Sequence, residues 1–511
     1  MAFTMASLVA GWNAAVAAGA RSYSPPPGTY SITEVGVFAG SHGTSFICQP
    51  GTVFEVSADL SASTAAIFNF VPSTANGTWQ YAGATENTGF SSETNVSNDS
   101  WQIRYSSSNL SSQKYYDAKL RRATEQGGSA SVAYVNHWVQ ENFRIEGVHI
   151  RCADGVTNFN SGIRCRFLYN VTVKNCSVDG ALTRAFDFGL CRSLDLEMLS
   201  VSGFDQAQLG SSYGLGVYIA RCENVRGSGI VGTDNMRHLV DIECGCEGVY
   251  ISGISGSNTS TEDVMCHAQN SNLIVLGITK VGYGISLGNT TWAATGGADS
   301  SILVFGDRGV KTTVPYVNWN AGATGVTIKN IKGTQFSVVP TTGYWPGTCK
   351  LYSCEFASSS VAPLNFAGPS NYRGCTRLEC HSCTFADSRA SSVLNFPGWD
   401  KAGGTILWRN VSYSVTGSHI AQLLATSQTI ALDWENCQLS ASGGGSLGFF
   451  LDARTSTQGT FRAVSNTFTS TSTSKYCTNS NQYTTGSPAK SITMSGSGNV
   501  THLGALVPLT Q

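Results

Sequence analysis

The sequence predicts an all-β chain in which short strands wind into a solenoid, and its composition and two internal repeats carry that prediction. Charged residues make up only 12% of the 511 residues, against about 25% in typical globular domains. The chain contains 56 Gly and 41% hydrophobic residues, which favours many short strands and turns over helices. The repeats then predict that each copy forms one coil that stacks on its neighbours.

The first repeat runs through the middle of the chain and is anchored on an apolar residue that we expect to point into the core. Successive anchors lie 23 to 31 residues apart, and a second short strand precedes the middle ones. A leucine-rich repeat would need its Leu/Asn consensus and a propeller four strands in about 40 residues, so both alternatives are disfavoured. The anchors are Phe143, Val171, Leu194, Val225, Val249, Leu273, Ile302 and Val326.

A second repeat follows toward the C-terminus, with a period similar to that of the first. Its aligned apolar residues lie 26 to 29 residues apart. The shared period predicts that the solenoid continues through this part of the chain. The aligned residues are Phe356, Phe385, Tyr413, Leu439 and Phe468.

Charge and hydropathy exclude several partners. The formal net charge is -1, from 31 basic and 32 acidic residues, so no basic field exists to bind nucleic acid or an anionic membrane surface. No apolar run is long enough for a transmembrane helix, which predicts no membrane insertion. A neutral polar partner such as a glycan stays open.

The 16 Cys are expected to be free thiols made in a reducing cytoplasm, because many fall at inward strand positions or repeated turns. The C-x-C at Cys244 and Cys246 and the C-x-x-C at Cys380 and Cys383 lack a second Cys/His pair at zinc-site spacing. We therefore expect no metal site and no cofactor.

The opening "SLVAGWNAAVAAGARSYSPPPGTYSI" resembles the start of right-handed parallel β-helix proteins of the pectate-lyase-like superfamily. With "YGLGVYI" and "RHLVDI", it is similar to bacteriophage tailspikes and tail-associated proteins. The resemblance implies that Leu8, Trp12 and Val16 lie on a short helix that caps the first coil. It also implies a homotrimer on the virion tail, made in the host cytoplasm and contacting tail adaptor or hub proteins.

Four regions are expected along the chain. Residues 1–30 form the N-terminal cap and a virion or adaptor contact, and residues 31–340 form the β-helix body. A polar insertion interrupts that body at about 60–140. Residues 341–475 form further β-helix coils or β repeats, and residues 476–511 form a C-terminal cap or oligomer contact.

Strand parity in "HLVDIEC" predicts the candidate catalytic site. If Val240 and Ile242 point inward, Asp241 and Glu243 share the outward face, with Cα atoms about 6.5–7 Å apart. Such a pair suits an inverting glycosidase, in which one carboxylic acid protonates the leaving oxygen while the other carboxylate activates water. Aligned strands place Asp187 in the outward column of Asp241 as a substitute partner.

Five further residues are candidates for substrate binding. Alignment of the short strands puts Tyr218 and Met265 in the column of Asp241, and His267 in the column of Glu243. Tyr218 and Tyr250 have outward parity and could stack on sugar rings. Similar phage proteins carry an Arg-His phrase at the strand entrance and a His one rung later, which points to Arg237, His238 and His267.

Each of these residues could instead have a purely structural role. An outward Asp or Glu can be solvated or ion-paired, and Arg237 could pair with Asp241 or Asp234. A lyase would need a calcium cluster, but Asp234, Asp241, Glu262 and Asp263 do not form a known calcium loop.

The favoured function is a tailspike that binds host cell-surface polysaccharide and cleaves it by glycoside hydrolysis. The alternatives are a non-catalytic receptor-binding or structural tail protein and a secreted polysaccharide lyase. The last would require that residues 1–20 serve as a signal peptide.

Overall fold

The computed structural model divides the chain into two compact units, Met1–Tyr283 (unit 1) and Gly284–Gln511 (unit 2). It describes the following residues: 4–39, 43–62, 66–71, 79–80, 95–96, 100–104, 115–117, 122–124, 132–136, 142, 144–156, 159–166, 168–189, 191–204, 214–220, 222–233, 236–243, 246–257, 263–267, 271–289, 301–306, 311–320, 325–339, 347–366, 376–389, 394–395, 404–416, 419–423, 429–442, 449–453, 458–470 and 491–501.

Unit 1 is a parallel β-helix with one described α-helix at its start. Its elements are α1 (Met5–Ala17), β1 (Ser22–Tyr23), β2 (Gly28–Ile32), β3 (Gly36–Ala39), β4 (Ser45–Ile47), β5 (Thr52–Val56), β6 (Ala66–Val71), β7 (Trp79–Gln80), β8 (Asn95–Val96), β9 (Ser100–Arg104), β10 (Tyr115–Asp117), β11 (Arg122–Thr124), β12 (Val132–Asn136), β13 (Arg144–Glu146), β14 (His149–Cys152), β15 (Phe159–Arg166), β16 (Tyr169–Asp179), β17 (Ala181–Gly189), β18 (Arg192–Ser202), β19 (Leu215–Ala220), β20 (Glu223–Gly232), β21 (His238–Ile242), β22 (Glu247–Gly256), β23 (Val264–His267) and β24 (Ser271–Lys280).

Helix α1 covers the first coil, as the sequence predicts. Thr4 and Ser7 form a capping box, each side chain accepting a hydrogen bond from the other residue's amide, which satisfies two donors at the helix N-terminus. Leu8 and Trp12 are fully buried, whereas Val16 is only half-buried. The ring of Trp12 packs against Phe46 and Phe70, with ring centroids 6.0 and 6.4 Å apart. Burial of these rings anchors the helix on the solenoid end.

The coil strands of unit 1 form two parallel sheets that run along the coil axis. The long-strand sheet contains β16, β18, β20, β22 and β24, and the short-strand sheet contains β15, β17, β19, β21 and β23. Successive strands pair in register, so Val171, Leu194, Val225 and Val249 line up as predicted. Because both sheets turn apolar residues inward, the core lies between them.

The predicted anchor at Leu273 is wrong by one residue. Val249 pairs with Ile274, and the register of β22 and β24 shifts near that point. Ile274 is therefore fully buried, while Leu273 is 48% exposed. A β-bulge reverses the alternation of side chains, and parity counted from the sequence does not detect it. Phe143 lies outside the described residues.

A bend in the long strands repeats on successive coils. Asn175, Met198, Gly229 and Gly253 have φ angles of 51°, 53°, 67° and 68°. This left-handed conformation is easiest for Gly and well tolerated by Asn. Met198 adopts this conformation although a side chain is sterically strained there, and it is 63% exposed. Each bend turns the coil and places its two halves at an angle.

The segment predicted to be an insertion contains strands that differ from those of the coils. Strands β7 and β8, β9 and β12, and β10 and β11 pair antiparallel. The coil strand β6 pairs with β3 and with β15, on either side of this segment in sequence. The chain therefore leaves the coil after Val71 and resumes it later.

Unit 2 consists of parallel coils in its described residues. Its strands are β25 (Gly284–Asn289), β26 (Ser301–Gly306), β27 (Thr312–Thr313), β28 (Tyr316–Asn320), β29 (Gly325–Lys329), β30 (Ile331–Gly333), β31 (Gln335–Val339), β32 (Gly347–Tyr352), β33 (Glu355–Ser358), β34 (Leu364–Phe366), β35 (Thr376–His381), β36 (Thr384–Asp387), β37 (Leu394–Asn395), β38 (Gly404–Arg409), β39 (Ser412–Val415), β40 (His419–Leu423), β41 (Thr429–Glu435), β42 (Gln438–Ala441), β43 (Phe449–Ala453), β44 (Gln458–Val464), β45 (Thr467–Ser470), β46 (Ser491–Ser497) and β47 (Val500–Thr501).

The second repeat series forms a ladder in the core of unit 2, which confirms its predicted alignment. Phe356, Phe385, Tyr413, Leu439 and Phe468 pair in that order on β33, β36, β39, β42 and β45. Beside them Trp408 and Trp434 stack with ring centroids 4.8 Å apart. Aligned aromatic rings of this kind bury large apolar areas on successive coils.

Buried Asn and Cys side chains bond the backbone at the turns of unit 2. The side-chain amide nitrogen (Nδ2) of Asn466 donates to the Trp434 carbonyl at 3.1 Å and to Asn499 Oδ1 at 3.0 Å. One coil earlier, the thiol of Cys437 donates to the Glu435 carbonyl at 3.4 Å. These contacts satisfy polar backbone groups that the coils remove from water. The cysteines within the described residues are free thiols, as the sequence predicts.

Within the described residues, no helix has both the length and the apolar character that crossing a membrane requires.

Candidate functional site

The short-strand sheet of unit 1 holds the predicted catalytic column. Asp187 on β17 pairs with Tyr218 on β19, Tyr218 with Asp241 on β21, and Asp241 with Met265 on β23. Val240, next to Asp241, is fully buried in the core. The alignment of this column is therefore confirmed, with rungs about 4.8 Å apart.

The face that carries this column is covered and does not form an open surface. Asp187 is 0% exposed, Asp241 5% and Tyr218 8%. The expectation that outward parity exposes these side chains is thus wrong. Parity decides on which side of a sheet a side chain lies, but other parts of the fold decide whether that side meets solvent.

Asp187 lies in a buried ionic cluster. Its Oδ2 is 2.8 Å from Nε of Arg164 and 3.3 Å from Nη1 of Arg184. The guanidinium carbon of Arg184 also lies 3.8 Å from the ring centroid of Tyr218, a cation–π contact. Two cations beside one carboxyl favour its charged form, which suits a structural ion pair better than a proton donor. The catalytic role of Asp187 stays a prediction.

The remaining residues of the predicted site lie around β21. Glu243 follows this strand, is half-buried, and donates its amide to the Ile219 carbonyl at 2.8 Å. The amides of Arg237 and His238 both donate to the Gly214 carbonyl, at 2.7 and 3.2 Å. His238 is 2% exposed. His267 ends β23, and its side chain lies outside the described residues.

The acids considered for calcium do not cluster where the structure describes them. Asp263 is fully buried, and its Oδ2 accepts a hydrogen bond from the Tyr283 amide at 2.7 Å, so its carboxylate supports a turn. Asp234 and Glu262 lie outside the described residues. No group of three His, Cys, Asp or Glu side chains among the described residues is arranged to bind a metal ion.

Tyr250 lies on the long-strand sheet, so the structure does not bring it together with Tyr218. It is 49% exposed and lines an open groove of about 630 Å³ in unit 1. Asp195 on β18, Arg226 on β20, Tyr250 on β22 and Val275 on β24 form one in-register column across this groove. We call it the Tyr250 groove.

Four of the residues that line the Tyr250 groove lie at turns of successive coils. Asn170, Ser193, Asn224 and Gly248 all have positive φ, between 54° and 64°. The Asn170 side chain donates to the Asn142 side chain.

The groove combines the kinds of side chain that sugar binding requires. Tyr250 and Leu273, 49% and 48% exposed, offer apolar surface for the face of a sugar ring. Asp195 and Arg226 can accept and donate hydrogen bonds to hydroxyl and charged groups. The chemistry of the Tyr250 groove thus fits a polar ligand with an apolar face.

Reasoning from the sequence found Tyr250 but missed its neighbours. Asp195 and Arg226 directly follow the anchors Leu194 and Val225, so outward parity could have placed them in the column of Tyr250. The sequence predicts Leu273 as a core residue because it does not show the bulge in β24.

Comparisons with known proteins give structural likenesses of low identity. No protein-family model matches the chain, and no curated protein matches it. The gp54 tailspike of Acinetobacter baumannii bacteriophage AP22, solved in complex with A. baumannii capsular saccharide, is 10% identical with a TM-score of 0.40, over 91% of this chain and 72% of that one. The Pseudomonas phage phi297 tailspike gp61 is 13% identical with a TM-score of 0.36, over 90% and 72%.

Proposed function

We propose that the chain is a phage tailspike that binds a host cell-surface polysaccharide in the Tyr250 groove. The observation that carries this proposal is the half-exposed ring of Tyr250, which stands in one column with Asp195 and Arg226 inside an open groove. A flat ring flanked by hydrogen-bonding side chains is what carbohydrate recognition requires.

Two features of the sequence support the same function. The "PPPGTY" opening and the "RHLVDI" phrase resemble those of phage tail-associated β-helix proteins. The net charge of -1 fits a partner held by stacking and hydrogen bonds rather than by a strong field.

Binding is tested by incubating the full chain with an array of bacterial capsular and O-antigen polysaccharides. We expect retention on at least one of them, with a Kd that soluble polysaccharide of the same type competes. Failure to bind any bacterial polysaccharide, by a protein that shows a cooperative thermal transition, would refute the proposal.

Glycoside hydrolysis by Asp241 and Glu243 is the finer part of the proposal. The two residues occupy positions i and i+2 at the end of β21, and Glu243 is the more exposed of them. One carboxyl group would protonate the glycosidic oxygen while the other activates the attacking water. Arg237, His238 and His267 would orient sugar hydroxyls.

Cleavage is tested by chromatography of the bound polysaccharide before and after incubation, with assay of new reducing ends. Asp241→Asn and Glu243→Gln should each abolish release while binding persists. Undiminished cleavage in both variants would exclude this assignment. A binding-only tail protein would yield no product, and a lyase would yield an unsaturated sugar that absorbs ultraviolet light.

Assembly on the virion completes the proposal. We expect a homotrimer attached to the phage tail through an adaptor or hub protein, since this is what the sequence resemblance implies. Light scattering of the purified chain gives the oligomeric state, and a monomeric mass would contradict the trimer.

A further inference from the structure

Arg226 holds a distinctive position in the Tyr250 groove. It projects outward from β20, is exposed, and stands one rung from Asp195 and one rung from Tyr250. Neighbouring rungs are about 4.8 Å apart. A ligand that stacks on Tyr250 would therefore bring its substituents within reach of the Arg226 guanidinium.

The arginine side chains of both units generally form ion pairs with acidic residues. Arg226 has no ion pair within 4.0 Å among the described residues, although Asp195 is its register neighbour. Arg21, which is exposed on unit 1 outside the groove, resembles it in this respect. The described arginines that form an ion pair within 4.0 Å include Arg144, Arg151, Arg164, Arg184, Arg192, Arg377, Arg389, Arg409 and Arg462.

From this contrast we infer that the Tyr250 groove selects an acidic polysaccharide, with Arg226 binding the carboxylate of a sugar whose ring stacks on Tyr250. A guanidinium matches a carboxylate with two parallel hydrogen bonds. An arginine that keeps its donors available in a groove can make this contact without breaking an ion pair of its own. This inference rests on the proposed function and names its substrate class.

Asp195 determines the side from which the carboxylate approaches. Its negative charge lies on the rung before Arg226, whereas the rung after it carries the uncharged Tyr250. Like charges repel, so the sugar carboxylate should meet Arg226 on the Tyr250 side. Removal of the Asp195 charge should then strengthen the binding of an acidic glycan.

The test uses bacterial polysaccharides that contain uronic acids, each spotted in native form and after chemical reduction of its carboxyl groups to primary alcohols. The wild-type chain should bind the native form about ten-fold or more tightly than the reduced form, the range of a charged hydrogen bond. Arg226→Gln should lose that preference, because it should weaken binding to the native form far more than binding to the reduced form. Asp195→Asn should increase the preference for the native form.

Arg21→Gln is the matched control, because it removes the same charge from an exposed arginine of unit 1 outside the groove. It should leave both affinities unchanged. If Arg21→Gln and Arg226→Gln weakened binding of the native form equally, the preference would come from the overall charge of the protein, and the inference would be overturned.

Two further outcomes separate this inference from the proposed function. Equal binding of native and reduced forms by the wild-type chain refutes acid selection but leaves polysaccharide binding intact. Absence of binding to every polysaccharide, charged or neutral, refutes both.

Discussion

Replacement of Tyr250 by Ala tests the groove most directly, because the side chain is half-exposed and its loss should affect binding rather than folding. An aromatic side chain has about 150–250 Å² of surface to bury. Since Tyr250 is 49% exposed, about 70–120 Å² of that surface remains for a ligand. A sugar stacked on one face of the ring would cover about half of this area.

The expected loss of binding free energy follows from that area. At about 25 cal/mol per Å², the covered face contributes roughly 1–1.5 kcal/mol. Tyr250→Ala should therefore raise the Kd by roughly 5- to 12-fold. Tyr250→Phe keeps the ring and should lose much less.

The assay is interferometry on an immobilised polysaccharide that the wild-type chain binds, with thermal unfolding of each variant to verify the fold. Tyr283→Ala is the control, because Tyr283 is also exposed on unit 1, at 42%, but does not line the groove. An unchanged Kd for Tyr250→Ala, or an equal loss for both variants, would refute the reasoning.

Two predictions concern stability. Trp12→Ala removes a fully buried ring from the aromatic cluster under α1 and should destabilise unit 1 by about 3–5 kcal/mol; thermal unfolding that matches wild type would contradict the capping role. Although burial raises it, hydrogen bonds from Arg409 and Arg462 lower the pKa of Asp433 below its ordinary value. Its stabilisation is therefore complete above the unfolded pKa of about 3.9 and is lost as pH falls through the lower folded value. Asp433→Asn should flatten the decline of the melting temperature of unit 2 below about pH 4, and an identical pH profile in the variant would exclude this contribution.

Much of the coil architecture follows from local sequence patterns. The apolar repeat that contains Phe356, Phe385 and Tyr413 predicted the observed ladder, because parallel strands of similar length stack apolar residues directly above one another. The column of Asp187, Tyr218 and Asp241 followed from the same alternation. Periodicity and parity are properties of one strand and its copies, so they can be read without the fold.

The candidate site was predictable only in part, because its chemistry depends on contacts between distant residues. Outward parity applied equally to Asp241 and Tyr250, yet the first is 5% exposed and the second 49%. Nothing in either strand shows which face another part of the chain will cover.

The α1 cap around Trp12 was an expectation from the resemblance to β-helix proteins. By itself, the sequence determined an all-β solenoid, the inward ladders and the residues that could share an outward column. These depend on alternation and period, which act over a few residues. Only the tertiary structure decided that Asp187 forms ion pairs with Arg164 and Arg184. It also decided that a bulge turns Leu273 outward and that Arg226 lies in an open groove. Burial, ion pairing and register shifts arise between coils, so they exist only once the coils have stacked.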